Sequence, residues 1–124
     1  MAIDHSDAVK VFEDHFRCLE KVPLLNPDKT PVTIGGKELF AKPLNCRKWH
    51  ELIKLSGMDY NIQLLYSAVC YSDGKPIFEA ADLYRVEELV DGSVIIALSN
   101  LAYAAVISGV NDLKNGLRRP AVNG

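Results

Sequence analysis

The sequence has 124 residues, 48% of them hydrophobic, which suits one compact domain with one core. Fourteen Lys and Arg against sixteen Asp and Glu leave a formal net charge of −2, which excludes the basic footprint of a nucleic-acid or anionic-membrane binder. Cys18, Cys46 and Cys70 are odd in number, widely spaced and without a CxxC pair, so they argue against a disulfide scaffold and for a reducing compartment.

The first predicted helix starts near Ser6, a residue type that caps helices, with Asp7 in its first turn. Val9, Phe12, Phe16 and Leu19 follow at spacings of three, four and three, one apolar stripe running to about Lys21. Lys10, Glu13, Asp14, Arg17 and Glu20 form its polar face. Pro23, Pro27 and Pro31 then mark a loop around Asn26-Pro27-Asp28. Two short β-prone runs, Val32 to Ile34 and Lys37 to Ala41, flank Gly35-Gly36 and predict a β-hairpin near residues 32–41. A lone hairpin is marginal in water, so it must pack on helices or pair with another chain.

Asn45 is placed to cap a helix through Trp49, Leu52, Ile53 and Leu55 that ends at Gly57. Asp59 opens the next, with Ile62, Leu65, Tyr66 and Val69 inward, ending before Ser72-Asp73-Gly74. Pro76 keeps Lys75 to Phe78 extended. Asp82 opens a short helix with Leu83, Val86, Leu89 and Val90 on one side, and Asp91-Gly92 breaks it. Ser93 is the predicted cap of the last helix, which runs to about Ser108 and stops at Gly109. The reading is a mainly α, small helical domain of about five helices with one short hairpin. It occupies residues 1–110, ahead of a polar and mobile tail over 111–124 that holds Lys114, Arg118 and Arg119.

The last helix is the anomaly. Ile95, Leu98, Ala102 and Ala105 make one inward stripe, yet Ile96, Tyr103 and Ile107 remain for another side. A helix apolar nearly all round is buried nearly all round, as a central core helix or as one shared with a partner. Val94 to Ile107 spans only about 21 Å as helix, short of the ~30 Å hydrocarbon core, so no membrane is expected. The N-terminus is acidic where a signal peptide is basic and then apolar, which places the protein in the cytoplasm.

No catalytic constellation emerges. His5 and His15 are ten residues apart, and Cys46 and His50 lack the second pair of ligands a structural zinc requires. Cys18 and Cys70 sit within apolar helical stretches, where a free thiol behaves as a small hydrophobe. Gly35-Gly36 has neither the phosphate-loop frame nor a following helix. Glu87 and Glu88 are neighbours and point to different helix faces. Trp49 after Arg47 and Lys48 reads as a core or interface tryptophan in an acidic chain. No cofactor, metal or nucleic acid is expected.

The order of the pieces carries a resemblance. A hairpin at Val32 to Phe40 leads through Pro43-Leu44-Asn45 into a Trp-bearing helix. A second helix ends in Ala68-Val69-Cys70-Tyr71-Ser72-Asp73-Gly74-Lys75-Pro76-Ile77-Phe78, and Val86-Glu87-Glu88-Leu89 precedes an Ala-rich final helix. Over residues 30–110 this pattern resembles the tail assembly chaperones of long-tailed, siphovirus-type bacteriophages. The resemblance implies a non-enzymatic protein that binds the tape measure protein, keeps it soluble and helps recruit the major tail tube protein. It also implies residence in the host cytoplasm, absence from the mature virion, and in many members a longer frameshifted product, whose extension here would follow Asn111 to Gly124. Leu83, Val86, Ile96, Tyr103 and Ile107 are the expected partner-binding residues, and the hairpin edge offers self-association into a homo-oligomer. Two other readings stay open: a structural virion component at the head–tail joint or tail completion, and a small enzyme using a cysteine or histidine.

Overall fold

The structure, a computed structural model, describes residues 5–16 and 21–107. The expected tail, the end of the last helix at Gly109, and Cys18 lie outside them. The described residues form five α-helices, a 3-10 turn and five two-residue strands: α1 His5–Phe16, β1 Val22–Pro23, β2 Thr33–Ile34, β3 Lys37–Glu38, β4 Phe40–Ala41, α2 Cys46–Leu52, α3 Gly57–Ala68, β5 Val69–Cys70, α4 Leu83–Leu89 and α5 Gly92–Ile107. The 3-10 turn, Ala80–Asp82, leads into α4.

The hairpin forms as its sequence requires. Thr33 pairs with Glu38 and Ile34 with Lys37, around Gly35 and Gly36 at φ +58° and +80°. Both backbones are left-handed, the conformation a two-residue turn needs to match the strand twist and one that glycine adopts without steric cost.

A second sheet, of three strands, is a correction to the single hairpin. Its order is β1-β4-β5, antiparallel throughout, with Phe40 between Pro23 and Cys70 and Ala41 between Val22 and Val69. The chain therefore leaves the hairpin at Leu39 and becomes the middle strand of this sheet. Leu24, Val32 and Leu39 are buried and stitched together by their own backbones: Leu24 N–H donates to Leu39 O, Val32 N–H to Leu24 O and Leu39 N–H to Val32 O, each at 2.9 Å.

The sheet also ends α3 early. Val69 has the spacing of an inward helical residue, but its backbone is extended (φ −95°, ψ 132°) and it enters β5 directly from Ala68. Val69 and Cys70 thus pair with Ala41 and Phe40, so Cys70 lies in a strand and not in a helix. Asn45 caps α2 as expected, its side-chain oxygen accepting from Lys48 N–H at 2.9 Å.

The main core is the layer between these strands and the helix pair α3–α5. It holds Leu24, Val32, Leu39, Ala41, Ile62, Leu65, Val69, Ile95 and Ala102, and Leu83 and Val86 of α4 pack against it. A second cluster, Leu52, Leu64 and Ala68, closes under Leu44, Trp49, Tyr60 and Val106. Each fully buried leucine contributes about 1.5–3 kcal/mol relative to an exposed one. Helices α3 and α5 run in the same direction: Gly92 lies beside Met58 at their starts, and Val106 packs by Leu64 and Ala68 at their ends.

Candidate functional site

Helix α5 is positioned by its first residues. Asp91 accepts from Ser93 N–H at 2.9 Å and from Ser93 Oγ at 2.6 Å, while its carbonyl accepts from Val94 and Ile95 N–H. The cap is therefore Asp91 and not the expected Ser93, and the helix opens at Gly92. A carboxylate serves the first turn better than a hydroxyl because it also meets the positive end of the helix dipole.

No residue from Gly92 to Ile107 is charged. Ile95, Ser99 and Ala102 face the core, and Ser99 Oγ donates to Asn61 Oδ1 of α3 at 2.9 Å. One flank stays open: Ile96 is 44% and Tyr103 47% exposed, and Ala97, Asn100 and Ala104 are exposed beside them toward the far side of the helix. The small residues leave a shallow track beside two large apolar anchors.

Trp49 of α2 extends that surface. Its ring meets Tyr103 edge-on, with centroids 6.1 Å apart and planes at 85°. Tyr60 stands at the same place: burial holds its phenol above the ordinary value and neighbouring Tyr103 adds to the shift. One turn beyond Trp49, Ile53 is 69% exposed. The result is an apolar face spanning α2, α3 and α5, with exposed Arg47, His50 and Lys54 along the α2 side. Contiguous exposed apolar surface of this kind marks interaction sites in soluble domains.

Among the expected partner-binding residues, the structure places Ile96 and Tyr103 on this face. Ile107 is half-buried in the last described turn of α5. Leu83 and Val86 are half-buried against the main core, and α4 turns Tyr84 and Leu89 to solvent instead. Trp49, which the sequence marks as a core or interface residue, and Ile53 are not among the expected partner-binding residues. Their exposure depends on how α2 packs against α5, a contact more than 40 residues distant in sequence, although Trp49 and Ile53 at i, i+4 do signal one helix face.

Cys46 and His50 are both exposed on α2, and among the described residues no three His, Cys, Asp or Glu side chains converge on a metal-sized site. Cys70 is fully buried, and burial pushes its thiol up, ahead of the opposing pull of Lys42 and Lys21. A thiol so held is a poor nucleophile. An open groove beside the hairpin is lined by Lys37, Glu38, Tyr71, Asp73 and Lys75, where Lys37 Nζ lies 5.5 Å from the Tyr71 ring centroid. Its lining is of mixed charge. No described helix is long and apolar enough to cross a membrane.

No family model matches the sequence, and no curated protein matches it. Among solved structures, the chain is similar to the tail assembly chaperone of bacteriophage HK97. The likeness has a TM-score of 0.45 and 18% sequence identity, and it covers 62% of this chain and 83% of that one.

Proposed function

We propose that this protein is a tail assembly chaperone of a long-tailed bacteriophage, and that it works by holding apolar helices without catalysis. The observation that carries the reading is the open side of α5: a charge-free helix with Ile96 and Tyr103 exposed and Trp49 stacked edge-on beside them. The sequence pattern over residues 30–110 adds the biological setting. The client is the tape measure protein, whose helical segments would lie along the track beside Ile96 and Tyr103 as a helix in a groove. The client stays soluble while the major tail tube protein is recruited around it. The chaperone acts in the host cytoplasm and is absent from the finished particle.

Co-expression with a tape measure segment tests this. A tagged chain is expected to keep the segment soluble and to co-purify with it. Replacing Ile96 and Tyr103 together with Asp is expected to abolish that retention. Both side chains are about half exposed, so the folded domain should survive, as circular dichroism would verify. A client that remains insoluble beside wild-type protein would sink the reading, and the protein at fixed stoichiometry in purified particles would favour a structural virion component.

A further inference from the structure

The apolar face has its charge on the α2 side. Helix α5 brings none, since no residue from Gly92 to Ile107 is charged. On α2, Trp49 and Ile53 stand at i and i+4 and share one helix stripe. Arg47, His50 and Lys54 recur at i, i+3 and i+7, the spacing of the stripe next to it, with Lys54 just past the helix end. All three are exposed.

That charge is not neutralised by the helices that build the face. Residues 46–54 have Arg47, Lys48 and Lys54 against Glu51, a net of +2. Glu51 pairs with Lys48 at 3.1 Å, and among the described residues neither Arg47 nor Lys54 has an ion-pair partner. Asp59, exposed in the first turn of α3, is the other acidic residue of α2, α3 and α5. A cationic flank beside an apolar surface discriminates between partners of equal hydrophobicity. It attracts an acidic flank and repels a basic one, over about 8 Å at physiological ionic strength.

A helix laid along α5, with its apolar stripe on Ile96, Tyr103 and Trp49, turns one of its flanks toward Arg47 and Lys54. We infer, on the reading of this face as a helix-holding surface, that the helix it takes is acidic along the flank that meets α2. Clients are then selected by charge as well as by apolar periodicity. An amphipathic helix with Glu or Asp beside its apolar stripe is held, and the same stripe edged with Lys or Arg is turned away. The selection is local: the whole chain has a net charge of −2, so attraction by net charge alone would favour the basic helix.

Trp49 is the sole tryptophan of the chain, so its fluorescence reads the face directly. The probes are two designed helical peptides of about 20 residues, long enough to hold a helix and free of Trp and Tyr. They share one leucine stripe and differ in its flanks, Glu in one and Lys in the other. Titrated into the full chain at low salt, the Glu peptide is expected to change Trp49 emission and to bind about tenfold more tightly than the Lys peptide. The preference should shrink as salt is raised. Arg47→Glu combined with Lys54→Glu should reverse it; both side chains are exposed, and circular dichroism checks that the double variant folds. Equal affinity for the two peptides, or a preference for Lys, overturns the charge selection and leaves the holding of apolar helices standing. A Glu preference that persists in the double variant overturns it as well, because the selecting charge then lies elsewhere. Emission that ignores both peptides, or that changes only with the protein's own concentration, overturns it by showing that the face takes no foreign helix. Tape measure retention is read separately, by co-expression, and its loss alone would count against the chaperone reading and not against the charge preference.

Discussion

Asp91 lies between two helices and holds the start of the second. The side-chain bond from Ser93 and then the backbone bond from the same residue hold its carboxyl below the ordinary value, and Thr30 does the same for Asp28. A carboxylate whose folded pKa lies below its unfolded one stabilises the fold above the unfolded pKa, and that contribution disappears as pH falls through the folded pKa. Asp91→Ala should therefore lower the melting temperature at neutral pH. The difference from wild type should shrink in acid, well below the reference carboxylate pKa of 3.8. An equal deficit at both pH values would mean that the cap is not the source.

At the scale of elements, the α3–α5 contact has one polar link within an apolar seam. Ser99 is 2% exposed and donates to Asn61, and this bond fixes how far α5 slides along α3. Ser99→Ala should cost about 1 kcal/mol in urea unfolding, the usual net worth of a hydrogen bond inside a protein. In the Asn61→Ala background the same change should cost much less, and additive losses would show that the two residues are not coupled. The helices were legible in the sequence because their apolar residues recur over several turns and Pro, Gly and Asn punctuate them. The hairpin was legible because Gly35-Gly36 permits little else. The three-stranded sheet was not. Two-residue strands carry no periodicity, Val69 continued a helical spacing, and the pairing of Phe40 with Cys70 is a long-range fact. The candidate face was half legible: the surplus apolar side of α5 pointed to Ile96 and Tyr103, whereas Trp49 joins them only once α2 has packed. The inward placement of Leu83 and Val86 was equally hidden, because both sides of α4 carry apolar residues.

At the scale of the whole molecule, the two buried clusters meet at Val106, which packs against both, so sheet, α2, α3 and α5 share one continuous interior. The open side of α5 is the outer surface of the same helix that closes this interior. A partner that covers it adds apolar burial without rearranging the core. The direct passage from Ala68 to Val69 has a further consequence, for changes in chain length. With no linker between α3 and β5, an added residue must either turn the helix by about 100° relative to the sheet or move Val69 and Cys70 to opposite sheet faces. A single alanine inserted between Ala68 and Val69 should leave no soluble folded protein, whereas one between exposed Ser72 and Asp73 should be accepted, as expression and thermal melting would show. In descendants of this sequence, insertions and deletions should therefore collect in turns such as Asn26–Thr30 and Ser72–Gly74 and be purged from Gly57–Cys70, so that this stretch keeps a constant length however far its residues diverge.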